Sequence, residues 1–405
     1  MKKILPLLLA LLLFTACTPA DKPEPVRDTV NTAETAANYT TETPPEAPDL
    51  NGSMKAVWIS YIELSRIISG HTEEEFSAAF ALMCRNAAGL GINTLFVHVR
   101  AFSDSLYPST LYPKSNMFDT EDFDALEIMV ETAHRFGLAL HAWINPLRCA
   151  TKENAAIYNG TLIGEWISDP TTYDEYICYL EGDGHYWLNP AVPEVRALIA
   201  AGAAEIVRGY DVDGVHIDDY FYPTDEPFFD AGRYVESGTS QPLSQWRQDN
   251  CSLMVRGIYS AVKGENSRVL FGVSPQGNIA NNYTYLCADV RRWCTEAGFL
   301  DYIAPQIYYG YENPKKPFAE ALEEWVSLCE GREVSLVIGV AAYKLAAEDE
   351  YISNVGILGR QISDALESAD GAALYSYDSL FSTSDSRVYT ELEYIKAALS
   401  GKNLE

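Results

Sequence analysis

The chain has 405 residues, with 57 Asp and Glu against 29 Lys and Arg, giving a formal net charge of −28. That charge repels phosphates and anionic headgroups, so it argues against a nucleic-acid partner and against electrostatic adhesion to a membrane. Aromatic residues make up 12 %, and 26 of them are Tyr, a composition suited to stacking on sugar rings.

Residues 1–16 read as a secretory signal. Lys2 and Lys3 precede an apolar run, Ile4 to Phe14, that is too short to span a bilayer as a mature helix. Phe14-Thr-Ala-Cys17 has the form of a lipobox, where bacterial lipoproteins are cut and acylated on the Cys. Phe stands where Leu is commoner, with Leu13 beside it. The expectation is a lipid-anchored protein outside the cytoplasm, whose only membrane attachment is the lipid on Cys17. Residues 17–52 are rich in Thr, Pro, Ala and Glu without an apolar period, which predicts a disordered tether. The rest, residues 53–400, is long enough for one large barrel domain.

The chain contains 8 Cys. Without Cys17 the number is odd, so they do not all pair internally. No CxxC or zinc spacing is present. Cys84, Cys287 and Cys329 lie in apolar helical contexts and are expected as buried thiols. A Cys149–Cys178 bridge is left open.

From residue 54 onwards, strand-like and helix-like segments alternate. Ala56–Ser60 is the first strand, and Glu73–Gly89 the helix after it, with Thr72 as N-cap. Thr94–Arg100 is the second strand; Phe123–Phe136 is helical and stops at Gly137. Leu138–Asn145 is the third strand. A long aromatic-rich insertion, residues 147–190, follows it and carries Trp166, Tyr173, Tyr176, Tyr179, Tyr186 and Trp187. It either folds over the barrel mouth or forms a packing lobe. Pro193–Arg208 is a helix with Pro in its first turn, and Gly214–Tyr220 is the fourth strand. Residues 241–263 are helical, Val269–Gln276 is the fifth strand, and residues 285–297 are helical. Tyr302–Tyr309, Val334–Tyr343 and Ala372–Asp378 are the last three strands. The helices Phe318–Cys329, Ile357–Ser368 and 386–399 alternate with them. Eight such alternations predict an α/β fold, a (β/α)8 TIM barrel. A doubly wound open sheet is the alternative, but no Gly-rich phosphate loop follows the first strand.

Active sites of such barrels lie at the C-terminal ends of the strands. With apolar residues facing the helices, alternation turns Trp58 and Ser60 inward, with His98 and Arg100 on the second strand and Asp104 beyond. His141, Trp143 and Asn145 come from the third, followed by Arg148. The fourth offers His216, Asp218 and Tyr220, with Asp219 at the turn. Ser274 and Gln276, Gln306 and Tyr308, and Tyr375 and Tyr377 complete the inward set. Tyr222 and Tyr343 join the candidates at the ends of the fourth and seventh strands. Taken singly, each is as readily barrel-core packing, His141 above all. Together they describe a sugar site: aromatic faces stack on pyranose rings, Gln, Asn, Arg and His bind hydroxyls, and carboxylates do chemistry. His216, Asp218 and Asp219 lack the His-x-His pair of amidohydrolase-like metal centres, so no metal or cofactor is expected. No Gly-x-Ser-x-Gly elbow supports a Ser nucleophile.

Six segments in order resemble the glycosyl-hydrolase-like 10 family. They are Lys55-Ala-Val-Trp-Ile-Ser60, Gly91 to Arg100, His141-Ala-Trp-Ile-Asn-Pro146, Asp213-Gly-Val-His-Ile-Asp-Asp-Tyr-Phe-Tyr-Pro223, Gly272-Val-Ser-Pro275 and Asp301-Tyr-Ile-Ala-Pro-Gln-Ile-Tyr308. The resemblance implies a bacterial, often lipid-anchored glycosidase of cell-wall glycan, particularly strands stripped of peptide.

Glycosidases normally use two carboxyl groups. The fifth strand ends in Ser-Pro-Gln and the sixth in Gln-Ile-Tyr, so the adjacent pair Asp218–Asp219 is the only obvious source. Adjacent acids suit a substrate-assisted route, in which the sugar's 2-acetamido oxygen attacks the anomeric carbon. Asp218 is expected to be essential and Asp219 its partner, with Asp104, Asp225 and Glu226 as substitutes. A non-catalytic glycan-binding lipoprotein is the rival reading, kept open by the missing acids on strands five and six. A sugar deacetylase or esterase would need a metal or nucleophile that the sequence does not display.

Overall fold

A computed structural model of the protein describes residues 52–402. The signal, Cys17 and the tether up to residue 51 lie outside the described residues. Among the described residues, no helix is long and apolar enough to cross a membrane.

Eight parallel strands close into a barrel in sequence order, the last beside the first. They are Met54–Ile59, Thr94–Arg100, Ala139–Ile144, Gly214–Ile217, Leu270–Val273, Tyr302–Ile303, Ser335–Ala341 and Gly371–Tyr375. Closure pairs Met54 with Gly371 and Val57 with Leu374. Alternation decides what each face buries. Val57, Ile59, Val97, Val215 and Ile217 face the surrounding helices in the main core. Ala56, Trp58, Phe96, Trp143, Tyr302 and Ala373 fill the barrel interior. Two interior rings need room that only a missing side chain provides. A Cβ on Gly214 would enter the His141 ring, and one on Gly272 the Tyr302 ring.

The helices start and stop where capping chemistry predicts. Thr72 accepts a hydrogen bond from the Glu75 amide, and the Glu75 side chain accepts one in return from the Thr72 amide, closing a capping box ahead of Glu73–Leu90. Phe318–Cys329 and Ile357–Ser368 match their expected bounds.

Other boundaries differ. The helix Tyr61–Ile68 directly after the first strand is new. The expected 285–297 helix is two short ones, Ile279–Tyr285 and Val290–Thr295, separated where Cys287 takes a positive φ of 53°. Strands four to six are shorter than expected: the Tyr220 and Gln276 amides turn to the side chains of Asp218 and Asn282, and the Ile307 and Tyr308 amides close tight backbone turns. Beyond the sixth strand only the isolated bridges Gln276–Gln306 and Gln306–Gly339 continue the pairing. The eighth strand ends at Tyr375, and Tyr377 already starts a helix, Tyr377–Phe381.

Between the third strand and the helix Pro193–Gly209, the chain forms a 3-10 turn, the helix Leu162–Ser168, and a hairpin of Ile177–Leu180 with His185–Leu188. Most of its rings pack on one another, Trp166 on Tyr176 and Tyr186 on Tyr179. This part is a packing lobe; its edge at Arg148, His185 and Trp187 reaches the barrel mouth. Cys149 and Cys178 are both buried free thiols, so no bridge joins them. The Cys149 thiol lies 3.4 Å from Ser103 Oγ, while the Cys178 thiol points at the Tyr179 carbonyl.

Candidate active site

The floor of the site is a hydrogen-bond chain whose direction is forced. Trp58 Nε1–H, a donor only, donates to His216 Nε2 at 3.2 Å. A neutral imidazole that accepts at Nε2 carries its proton on Nδ1. His216 Nδ1–H therefore donates to the Tyr302 hydroxyl at 2.9 Å. That hydroxyl then donates to His141 Nδ1, 2.8 Å away. His141 is left with a proton on Nε2, which is buried without a partner. Both rings are kept neutral by burial: His141 is lowered to about 4, and His216 lies well below the ordinary value.

Directly above, at the end of the fourth strand, sits Asp218. It is buried, and its Oδ2 accepts from Trp143 Nε1–H at 3.1 Å. The Tyr220 amide lies 3.4 Å from Oδ1. Burial first, then the charge of Asp219, push the Asp218 carboxyl up to about 8. The Trp143 and Tyr220 bonds and the Arg148 charge pull the other way without cancelling them. Asp219 is also raised by burial, against hydrogen bonds from Gln306 and Gln276. Gln306 Nε2 donates to Asp219 Oδ1 at 3.2 Å and to the Ser274 carbonyl at 3.0 Å, fixing the amide between strands. Buried Asp218 and half-buried Asp219 sit side by side, and the charge of one opposes ionisation of the other, so the pair holds a proton near neutrality.

Rings wall the site. His98 stacks on Trp143 with centroids 3.4 Å apart. Tyr308, Tyr343 and Tyr375 form a second cluster, with Tyr308 5.8 Å from each of the others. Tyr220 faces Trp187 at 5.9 Å. The structure thus gathers Trp58, His98, Trp143, His216, Asp218, Asp219, Tyr220, Gln276, Gln306, Tyr308, Tyr343 and Tyr375 at or beneath the mouth.

Five other candidates do not join them. The register shifts between His98 and Arg100, which turns the Arg100 guanidinium outward over the Tyr112 ring and against Gly202 on the neighbouring helix. Asp104 folds back to accept from the Phe102 amide and holds its own loop. Asn145 caps its turn by accepting from the Arg148 amide. Tyr222 packs under the fourth loop against Phe229, and Tyr377 sits behind the barrel, where its hydroxyl accepts from Asn86. Asp225 and Glu226 are exposed, with their backbone carbonyls bound by Arg247.

Tyr61, Phe102 and Glu63 join the mouth without having stood among the sequence candidates. The Tyr61 amide donates to His98 Nδ1 at 3.3 Å, and its ring meets Phe102 at 4.8 Å. Glu63 is buried and accepts from the Ser60 and Asp378 amides, tying the first loop to the last; burial raises its pKa. All three lie on loops or in a loop helix, outside any strand period. The one available signal is Ser60 followed three residues later by Glu63, a capping-box spacing.

A carboxyl pair amid aromatic and amide side chains, at the C-terminal face of a (β/α)8 barrel, defines a glycosidase-like barrel. The family model for glycosyl hydrolase-like 10 matches residues 53–353, and the chain belongs to that family. The chain is 32 % identical over 325 residues to a glycosyl hydrolase, DigH, of Escherichia coli strain CFT073; the match covers 72 % of this chain and 73 % of the relative. It is 30 % identical over 346 residues to the glycosyl hydrolase YngK of Bacillus subtilis, covering 76 % of this chain and 66 % of that one. Among solved structures, the fold superposes on an alpha-L-fucosidase of Paenibacillus thiaminolyticus with a TM-score of 0.55 and 15 % identity. That match covers 86 % of this chain and 49 % of the fucosidase, so this chain spans about half its length. The catalytic domain of a beta-amylase from Paenibacillus polymyxa matches with a TM-score of 0.54 and 12 % identity, over 87 % of this chain and all of that domain.

Proposed function

We propose that the protein hydrolyses glycosidic bonds in a bacterial cell-wall glycan, in particular peptidoglycan strands stripped of peptide. It acts outside the cytoplasm, held to a membrane by lipid on Cys17. The observation that carries the reading is the carboxyl pair in the mouth, where buried Asp218 beside half-buried Asp219 keeps its proton at neutral pH. A protonated, buried carboxyl is what a general acid requires. Membership of a glycosyl-hydrolase-like family and relatives that bear that name support it.

The route is substrate-assisted. The 2-acetamido oxygen of the sugar attacks the anomeric carbon as the bond to the leaving oxygen breaks. Asp218 gives its proton to that oxygen, while Asp219, held by Gln306, accepts from the acetamide N–H. Water then adds at the anomeric carbon, returns a proton to Asp218 and reopens the ring. Trp143, Tyr220, Tyr308 and Tyr343 line the glycan, and Trp58 supports the floor beneath through His216.

The second reading, a glycan-binding protein without catalysis, is favoured by one observation. The strand-five and strand-six ends present Ser274, Gln276 and Gln306 rather than acids. A digest separates the two. The protein and its Asp218→Asn form are incubated with peptide-free and peptide-bearing peptidoglycan strands, and the products are weighed by mass spectrometry. Fragments from peptide-free strands with the parent alone are expected. Retention of both forms on the glycan with no fragments would favour the binding protein.

A further inference from the structure

We propose that Arg148 forms a subsite for a carboxylate carried by the glycan, so that the mouth selects acidic sugars whose carboxyl group is free. This rests on the reading of the mouth as a glycan site and names the substrate feature it recognises.

Buried Arg247 forms an ion pair with Asp230 at 2.7 Å, and Lys344, next to the mouth residue Tyr343, pairs with Glu348 at 2.9 Å. Acidic residues outnumber basic ones by 57 to 29, so a partner is easily supplied. Arg148 nevertheless has no carboxylate within salt-bridge distance among the described residues; Arg100 shares that state but is turned away from the mouth over Tyr112, whereas Arg148 stands beside the acid pair. Its guanidinium lies over the rings of Phe102 and Tyr220, at 4.7 and 4.9 Å. Nη2 donates to His185 Nε2 over a long 3.4 Å, and Nε is buried without any partner. Nη1 has no hydrogen-bond partner among the described residues.

The group is therefore oriented from three sides and left under-bonded. The two rings fix its plane, and His185, whose Nδ1 side is held by Asp183, fixes one corner. Its Asn145-capped backbone fixes the root. It is close enough to the acid pair that its charge acts on Asp218. A planar guanidinium held this way matches a carboxylate through two parallel N–H···O bonds, which neither a hydroxyl nor an amide offers. The surroundings favour the same partner. With Asp218 protonated, the acid pair carries at most the one charge of Asp219, and His98, His141 and His216 are neutral. On a peptide-free strand, the muramic acid lactyl group ends in a free carboxylate. A peptide joined there converts it to an amide and removes the charge that Arg148 binds.

The test measures binding apart from cleavage. The full chain carrying Asp218→Asn is titrated calorimetrically with a peptide-free oligosaccharide of alternating N-acetylglucosamine and N-acetylmuramic acid. It is also titrated with the same oligosaccharide after its carboxyl groups have been reduced to alcohols. The acidic form is expected to bind about 10- to 100-fold more tightly, the size of a charge-assisted bond. Adding Arg148→Ala should remove that preference, and Arg148→Lys should restore part of it. Melting curves are recorded beside each titration, and the comparison of two ligands on the Arg148 protein needs no Arg variant to fold. Equal affinity for both oligosaccharides, or a loss in Arg148→Ala that affects both alike, would overturn the proposal. So would failure to bind either. Carboxylate-dependent binding by Asp218→Asn without cleavage by the parent would instead leave this subsite standing and remove the hydrolase.

Discussion

A single proton on Asp218 separates an acid catalyst from a spectator, and its environment states when it is present. Burial and the neighbouring Asp219 raise the carboxyl to about 8, so the acid form predominates below that pH and disappears above it. We expect kcat/KM on peptide-free strands to fall about tenfold per pH unit above the resulting limb. Asp218→Asn should lose turnover by about a thousandfold or more while keeping its melting temperature near neutral pH. A flat profile to pH 10, or an active Asn variant, would remove Asp218 from the acid role. Trp143 sharpens the test. Its N–H stabilises the ionised carboxylate, so Trp143→Phe, which keeps a ring against His98, should shift the limb upward by about one pH unit. A downward shift would mean that the Trp143 bond is not made to the charged form. Beneath them, Tyr302→Phe strands His216 Nδ1–H and His141 Nδ1 inside the barrel. Leaving two buried groups unpaired should cost about 2–4 kcal/mol, readable as a lower urea midpoint at unchanged slope.

At the scale of strands and helices, the period-two pattern sets how much of the site is legible in the sequence. Where a strand keeps its regular course to its end, alternation orients the side chains correctly, as for Trp58, Trp143 and Tyr375, and it carries one residue past Ile217 to Asp218. It fails where the backbone leaves the ladder. Arg100 follows a register shift, Tyr377 follows the end of the last strand, and Tyr222 lies five residues past Ile217. Tyr61 and Phe102 carry no periodic signal, because loop residues are positioned by the hydrogen bonds of other segments, here His98 to the Tyr61 amide. Arg100 also shows what a helix demands of its partner strand. Gly202, midway along Pro193–Gly209, leaves the space that the Arg100 guanidinium and the Tyr112 ring occupy. On propensity alone, Gly202→Ala should stabilise the helix by about 1 kcal/mol. Here the added methyl meets the buried Arg100 guanidinium and the Tyr112 ring, both of which must shift, at a cost of about 1–3 kcal/mol, so overpacking prevails and the melting temperature falls. Gly257→Ala, in the helix Leu243–Glu265 with nothing within 4 Å of the new atom, should instead raise it, by about 0.5–1 kcal/mol. Equal shifts in the two variants would show that the close approach at Gly202 is relieved at no cost.

For the molecule as a whole, the pH of greatest stability follows from which groups bind protons differently in the folded and unfolded chain. Two sets oppose each other. Glu63, Asp104, Asp218, Asp219 and Glu391 all have raised pKa values through burial. Their contribution is fully present below the unfolded carboxyl values and is lost as pH rises through the folded ones, reaching about 8 for Asp218. His134, raised by its bond to Asp213, acts in the same direction. By contrast His98, His141 and His216 are depressed by burial. Below about pH 6.5 the unfolded chain takes up protons on these rings that the folded chain refuses, each costing about 1.4 kcal/mol per pH unit. Falling self-repulsion favours the acid side, since net charge vanishes near the pI of 4.5. Near pH 6 the three protons refused by His98, His141 and His216 outnumber the one that Asp218 holds in excess and outweigh the falling repulsion. Stability should therefore peak between about pH 6 and 7, well above the isoelectric point, and fall on both sides. Melting temperatures across pH 4.5–9 at constant ionic strength would check this. Asp218→Asn should flatten the alkaline fall and leave the acid fall in place, because it removes one raised carboxyl and none of the rings. A maximum at the isoelectric point itself would mean that surface charge, rather than the neutral histidines of the barrel floor and wall, governs the balance.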